Sequence, residues 1–134
     1  MVVEIFSLCD AATSENGKLN LLGAFDTIWV KQFPAVYPHC TVAIRIRFSS
    51  LEAGSHRLDV RFMDEDGKNI LPTAGGPLQI TMPEGQRSVS TNLILNIQSL
   101  KLERPGEASL ELSIDGQLIV SLSLFVKQIP SPTS

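Results

Sequence analysis

The sequence predicts an all-β fold, in which two antiparallel sheets form a sandwich of roughly eight or nine strands, with an immunoglobulin-like Greek key favoured. Apolar and polar residues alternate over several segments, which is typical of strands covered on one side. Helix-capping signals are rare, and prolines and glycines recur at short intervals. Since each such sheet must cover its apolar face, two packed sheets are expected.

Length and composition indicate one globular domain. The chain has 134 residues, of which 43% are hydrophobic and 19% are charged, so it is too apolar for a disordered protein. Its net charge of −3 argues against a dedicated binder of nucleic acid or of anionic membranes. We expect residues 1–128 to form the domain and residues 129–134 to form a flexible C-terminal tail.

The first half of the chain contains five expected strands. Three of them cover residues 2–10, 18–25 and 27–33, and Asn16-Gly17 is a hairpin signal between the first two. The other two cover residues 41–48 and 56–63, where Val42 to Phe48 and Leu58 to Phe62 are apolar at every second position. Each of these two strands should therefore have one buried and one exposed face.

The second half of the chain begins with weak strand signals and ends with a strong hairpin signal. Asp66-Gly67 predicts a turn, followed by a short strand at residues 69–71. Residues 74–77 are expected to form another turn, and residues 78–82 have a weak strand signal. A long strand is expected at residues 87–98. Alternating segments at 107–114 and 118–126 flank Asp115-Gly116, which supplies the two positive-φ positions of a type I′ turn.

Several short motifs together resemble a known family. They are Leu8-Cys9-Asp10, the run from Gly17 to Gly23 with Phe25-Asp26, the run from Val42 to Arg47, the run from Met63 to Gly67, Arg104-Pro105-Gly106, and the run from Ser113 to Gly116. In these motifs the chain resembles a family of small uncharacterised bacterial proteins of about this length. The resemblance implies a cytosolic β-sandwich, and it brings no catalytic residue, cofactor or activity.

Two cysteines and two histidines are the candidates for nucleophilic chemistry. Glu4 and Asp10 interrupt the apolar N-terminus and no basic residue precedes Lys18, so no secretory signal is expected. No apolar run approaches the ~18 residues of a membrane-spanning helix, and the cytoplasm is the expected location. Cys9 and Cys40 are then expected to be reduced, although they could form one bridge. His39 and Cys40 are neighbours on a strand and should face opposite ways, so we expect no enzyme activity.

The run from Asp64 to Asn69 superficially resembles a calcium-binding loop. Its glycine arrives two positions too early and the twelfth position is Gly75, so a charged turn is the preferred interpretation. Calcium held jointly with another loop stays an alternative. No cofactor is expected.

Four arginines form a candidate anion patch. Arg45 and Arg47 share one face of their strand, and Arg57 and Arg61 share the polar face of the next. If those two strands pair, all four guanidinium groups lie on one outer surface and could bind an anion or an acidic partner. The alternative is an ordinary solvated face, neutralised by carboxylates such as Asp59.

An aromatic segment is the second candidate site. Four of the eight aromatic residues lie close together in the sequence, at Phe25, Trp29, Phe33 and Tyr37. In a strand, Phe25, Trp29 and Phe33 would share one face. The segment could form part of the core, a protein-contact or self-association surface, or a platform on which sugars stack.

The sequence therefore predicts a non-enzymatic interaction or scaffold module. Its contact surface would be the segment Phe25–Tyr37 or a sheet edge, and its partner another protein or a second copy, as in a homodimer. The alternative is a small-ligand or carbohydrate-binding module, which requires Trp29 to be exposed in a concave site. No nucleic-acid or membrane partner is expected.

Overall fold

The computed structural model describes residues 1–130, which form nine strands and one short 3-10 helix, Ser50–Glu52. None of these residues belongs to a helix of the length and apolar character needed to cross a bilayer. The strands are β1 (Val2–Glu15), β2 (Lys18–Ala24), β3 (Thr27–Val30), β4 (Ala35–Ser49), β5 (Gly54–Met63), β6 (Ala74–Ile80), β7 (Ser88–Leu102), β8 (Gly106–Ile114) and β9 (Gln117–Gln128).

The strands form two sheets, as predicted. The four-stranded sheet has the order β2-β1-β4-β7, and the five-stranded sheet has the order β3-β9-β8-β5-β6. All pairs are antiparallel except β3 and β9, which are parallel. Between β2 and β3 the chain passes from the four-stranded sheet to the five-stranded sheet. There β3 pairs with β9, the last strand, and runs in the same direction.

One hydrophobic core joins the inner faces of both sheets. The alternation predicted for residues 107–114 is confirmed. In residues 41–48 the predicted inner face is buried, but the prediction of an exposed outer face is wrong for Thr41 and Ala43, which are buried as well. The four-stranded sheet contributes Val42, Ile44, Ile46 and Phe48, and the five-stranded sheet contributes Ala108, Leu110, Leu112 and Ile114.

Both hairpins with two-residue turns form as predicted. Asn16 and Gly17 have φ values of 52° and 74°, and Asp115 and Gly116 have values of 52° and 80°. Two successive positive φ angles define the type I′ turn, whose twist matches that of the flanking strands.

Two predictions for residues 69–77 are wrong. Asn69 makes an isolated bridge to Met63, and no strand forms at residues 69–71. Residues 74–77 are not a turn but belong to β6, which ends at Ile80. Because β6 lies at a sheet edge, it can contain Pro77, whose missing N–H and rigid ring would disrupt a central strand.

The hairpin formed by β1 and β2 folds back across the outer face of the four-stranded sheet. We call residues 11–24 the hairpin arm. The Asn92 side-chain amide donates to Ser14 Oγ and to the Gly17 carbonyl, both at 3.3 Å. Asn92 lies on β7, which is not a neighbour of β1 in the sheet, so these bonds require the arm to cross the sheet. Thr41 lies on this outer face and is 0% exposed.

The hairpin arm bends away from β4 after Cys9, where the pairing of β1 with β4 ends, next to Asp10 and Gly23. Gly23 has a φ of 71°, and a Cβ atom added there would lie 2.3 Å from the Asp10 carboxylate oxygen. Only glycine combines this backbone conformation with so close a side chain. The bend is therefore encoded by one glycine near the end of β2.

The chain remains ordered just beyond β9. The predicted tail begins at Ile129, whose backbone N–H donates to the Val30 carbonyl at 2.7 Å. Residues 131–134 of that tail lie outside the described residues.

Candidate interaction surface

The structure separates the four aromatic residues of the predicted site. Trp29 is 55% exposed on β3, whereas the other three are partly buried against the core. The Phe25 and Tyr37 rings contact each other, with their centroids 5.9 Å apart. The prediction that Phe25, Trp29 and Phe33 share one strand face is wrong, because β3 covers only Thr27–Val30.

Trp29 instead shares the outer face of its sheet with two residues of β9. Lys127 lies opposite Trp29 in the register, and its Nζ atom lies 5.3 Å from the centroid of the indole ring. Phe125, two positions earlier on β9, is 37% exposed. We call Trp29, Phe125 and Lys127 the Trp29 patch. A lysine over the ring gives a cation–π contact and occupies one face that a sugar would need for stacking.

The four arginines do not form the shared surface that was predicted. Arg45 and Arg47 lie on β4, in the four-stranded sheet, and Arg57 and Arg61 lie on β5, in the five-stranded sheet. The connection after β4 crosses from one sheet to the other, so the two strands never pair.

Nearby carboxylates partner three of these arginines. The Nε atoms of Arg45 and Arg47 both contact the Glu4 carboxylate, at 3.0 and 3.1 Å, and lower its pKa. Arg57 contacts Asp59 at 3.2 Å. This arrangement fits the alternative interpretation, an ordinary solvated face of opposite charges.

Both cysteines are buried, free thiols. Cys9 Sγ donates to the Thr41 carbonyl at 3.6 Å. Burial, with smaller contributions from the charges of Cys9 and Asp10, raises the pKa of Cys40 to about 11, and burial also raises the pKa of Cys9. A nucleophilic cysteine requires a lowered pKa, so these environments oppose thiolate chemistry.

His56 links the start of β5 to the turn between β8 and β9. Its Nε2 atom donates to the Glu52 carbonyl and its Nδ1 atom to the Asp115 carboxylate, both at 2.6 Å. Because both ring nitrogens face acceptors, the Glu52 carbonyl and the Asp115 carboxylate favour the protonated ring and raise its pKa above the ordinary value. The second Asp115 oxygen accepts the Arg57 backbone N–H at 2.8 Å. Through its bond to Asp115, His56 therefore stabilises the turn between β8 and β9.

A cavity of about 370 Å³ lies between the turn after β5 and the turn after β7. Asp66 pairs there with Arg104, and Glu65 accepts the Glu107 backbone N–H at 2.7 Å. Asp64 accepts two backbone N–H groups of its own turn. Within residues 1–130, no three histidine, cysteine or acidic side chains are placed to hold a metal ion together.

A smaller cavity of about 210 Å³ opens where the edges of the two sheets meet. Its walls are mostly apolar, and they come from β7 on one side and from β5, β6, β8 and the loop before β6 on the other. The lining residues include Val60, Phe62, Leu71, Ala74, Leu95 and Ile97. The sandwich is therefore incompletely closed beside β7.

The sheets have four edges, and three of them carry features that discourage pairing with another chain. The β3 edge has only four residues. The β6 edge contains Pro77. The β2 edge belongs to the hairpin arm, which is folded onto the sheet.

The β7 edge differs from the other three. β7 has 15 residues, and β4 is the one strand that pairs with it among the described residues. It contains no proline, and no residue from Ser88 to Leu100 is charged. Residues 88–95 are all partly exposed, as expected for an uncovered edge. A sheet edge was predicted as a contact surface, but β7 was not identified as that edge. Its long run without charged residues was the sequence feature that could have identified it.

Comparisons with known proteins identify the family and a shared fold. No curated protein matches the sequence. A solved structure of the Pseudomonas fluorescens alkylpurine DNA glycosylase AlkC, bound to DNA containing an abasic site analog, matches 76% of this chain with a TM-score of 0.51 and 7% identity. The match covers 28% of the glycosylase chain, so the likeness concerns the fold alone. A family model matches residues 4–127, and the chain therefore belongs to the Family of unknown function (DUF6941).

Proposed function

We propose that this chain is a non-enzymatic interaction or scaffold module that binds a protein partner, or a second copy of itself, along the β7 edge. The observation that carries the proposal is the contrast between β7 and the other three edges. An exposed edge presents a row of free backbone N–H and C=O groups, which pair readily with another strand. The module would therefore act by strand addition.

The small cavity beside β7 supports the same mode of binding. A strand added to β7 would lie at the mouth of this cavity, next to Leu95 and Ile97. Every second side chain of the added strand would face the cavity, because side chains alternate across a strand. Backbone hydrogen bonds would supply affinity, and the apolar walls would select bulky apolar residues at alternate positions.

An immunoglobulin-like arrangement is part of this proposal, and the strand order supports it. In the immunoglobulin order, strands A, B and E share one sheet with D, and strands G, F, C and C′ share the other. The orders β1-β4-β7 and β9-β8-β5-β6 correspond to A-B-E and G-F-C-C′. In this correspondence, strand D is the neighbour that β7 lacks.

Two further observations support the non-enzymatic and cytoplasmic parts of the proposal. The raised pKa values of both thiols, and the engagement of both His56 nitrogens, leave these side chains poorly suited to nucleophilic or general-base catalysis. Two free cysteines are ordinary in a reducing compartment.

The alternative function is a small-ligand or carbohydrate-binding module at the Trp29 patch. The exposed ring of Trp29 favours it. Trp29 lines neither of the two cavities described above, and Lys127 occupies one face of its ring. We therefore rank this function below strand addition.

A charged residue on the inner face of the edge tests the proposal. Natural edge strands use inward-pointing lysines to block pairing. Thr91 is partly exposed on that face of β7, so Thr91→Lys should block strand addition. Gln79→Lys, on the exposed outer face of the β6 edge, is the control for an added surface charge. Val89→Lys is a second blocking variant, in case Thr91→Lys does not fold.

The measurement compares the proteins that immobilised wild type, Thr91→Lys and Gln79→Lys capture from an extract of the native host. We expect the proteins retained by wild type and by Gln79→Lys to be lost from Thr91→Lys. The same proteins on all three, together with the same oligomeric state, would overturn strand addition at β7.

A further inference from the structure

We infer that the strand added to β7 is the β7 strand of a second copy, paired antiparallel about a twofold axis at Leu93. This inference rests on the proposed function and specifies its partner. A twofold axis perpendicular to the sheet makes the interface self-complementary, so each residue of the strand meets a defined residue of its twin. The eight strands of two four-stranded sheets would then form one continuous sheet.

The backbone of β7 sets the limits of the paired region. The strand is regular from Ser88 to Gln98, and Ser99 then has a φ of 54°. Inward-facing residues have odd numbers up to Ile97 and even numbers from Leu100, so the strand reverses its faces at Ser99. A twofold axis at Leu93 pairs all of residues 88–98 and excludes Ser99.

Side chains match in this register. On the inner face Leu93 meets its own copy, Leu95 meets Thr91 and Ile97 meets Val89. On the outer face Gln98 meets Ser88, Asn96 meets Ser90 and Ile94 meets Asn92. Apolar side chains thus lie mainly opposite apolar ones, and polar opposite polar, which is the arrangement that stabilises neighbouring strands.

Strand length and charge select the same register. A shift of the axis to Ile94 would shorten the paired run to residues 90–98, because the partners of Ser88 and Val89 would be Leu100 and Ser99, at or beyond the reversal. A shift to Asn92 would place Arg87 opposite the buried Ile97. With the axis at Leu93, Arg87 lies outside the regular paired run, opposite Ser99. Within that run no residue is charged, so no side chain meets a like charge on its twin.

The paired region would contain as many hydrogen bonds as a typical protein interface. Alternate residue pairs of an antiparallel ladder exchange two hydrogen bonds each, so residues 88–98 would form about 10 to 12 bonds. A typical protein interface has about 10. Val89 and Thr91 of the second copy would also lie beside Ile97 and Leu95, at the mouth of the small cavity.

Sedimentation and cross-linking of single-cysteine variants test the inference. Wild type should show a reversible monomer–dimer equilibrium, and Thr91→Lys should sediment as a monomer. Ser90→Cys is mixed and oxidised with Asn96→Cys, its partner in this register, or with Gln98→Cys as the control. The disulfide between positions 90 and 96 should form on the order of 100-fold faster than the disulfide between positions 90 and 98, because only the first pair is held at high effective concentration. Wild type measures the background from the buried Cys9 and Cys40.

A wild type that stays monomeric at all concentrations would overturn the inference, and so would faster cross-linking of the Ser90–Gln98 pair. Either result would leave the proposed function intact if wild type and Gln79→Lys still captured proteins that Thr91→Lys did not. If Thr91→Lys matched wild type in both capture and sedimentation, the proposed function and the inference would both be overturned.

Discussion

The bend of the hairpin arm gives a prediction whose magnitude follows from the structure. Gly23 has a φ of 71°, and an added Cβ would lie 2.3 Å from Asp10 Oδ2 and 2.9 Å from Asp10 Cγ. A side chain in this left-handed region costs about 1–2 kcal/mol. Moving the Asp10 side chain off its rotamer adds about 0.5–1.5 kcal/mol. We therefore expect Gly23→Ala to lower the free energy of unfolding by about 2–3 kcal/mol.

Gly17→Ala is the matched control, because Gly17 has nearly the same φ, 74°, and no atom of residues 1–130 lies within 4 Å of its added Cβ. It should carry the backbone cost alone. Urea denaturation of both variants measures the difference, and in thermal unfolding each kcal/mol should lower Tm by about 4 °C for a chain of this size.

A double variant isolates the steric contribution. Asp10→Ala removes the carboxylate that the new Cβ meets, so Asp10→Ala with Gly23→Ala should recover about 1 kcal/mol relative to additivity. Equal destabilisation by Gly23→Ala and Gly17→Ala, or strict additivity of the double variant, would refute the argument that Asp10 packs against the bend.

Three further predictions concern single side chains. The protonated His56 ring stabilises the fold below its ordinary pKa of 6.5, and this contribution is lost as pH rises through the raised folded-state pKa. Denaturation from pH 5.5 to 8.5 should therefore show wild type losing its advantage over His56→Gln toward high pH, and a pH-independent difference would contradict this. Both cysteines should resist a thiol reagent in the native protein at pH 8 and react fully in denaturant; a rapidly labelled native thiol would show that the pKa of about 11 for Cys40 does not describe its environment. Trp29→Ala should change the free energy of unfolding by less than about 1 kcal/mol, because the ring is 55% exposed, and a larger loss would place this ring in the core.

The sequence was most informative where one strand met its neighbour through a short turn. The alternation of β8 and the Asp115-Gly116 turn predicted both strands of that hairpin, because local chemistry alone determines such a pairing. The same reasoning failed for the arginines. Whether β4 pairs with β5 depends on the path of the connection between them, and side-chain periodicity contains no information about that path.

Burial on the outer face could not be predicted either. Thr41 and Ala43 occupy positions that period-2 alternation assigns to solvent, yet both are 0% exposed. The hairpin arm crosses this face and its tip is bonded to Arg45 and Asn92. Side-chain periodicity does not show that a hairpin folds back across its own sheet. Residues 74–77 were misassigned for a related reason, since glycine and proline indicate a turn in isolation but are tolerated in an edge strand.

The two candidate surfaces lie on opposite sides of the sandwich, so they can be tested separately. The small cavity is lined by both β7 and β6, which places these two edges together. β3 lies at the other end of the five-stranded sheet, with three strands between it and β6. A module with partners at both edges could connect two molecules, as a scaffold does. Thr91→Lys should then abolish pairing at β7 without affecting a ligand of the Trp29 patch, and Trp29→Ala should do the reverse. Loss of both functions in either variant would show that the surfaces are coupled, which the rigid core between them argues against.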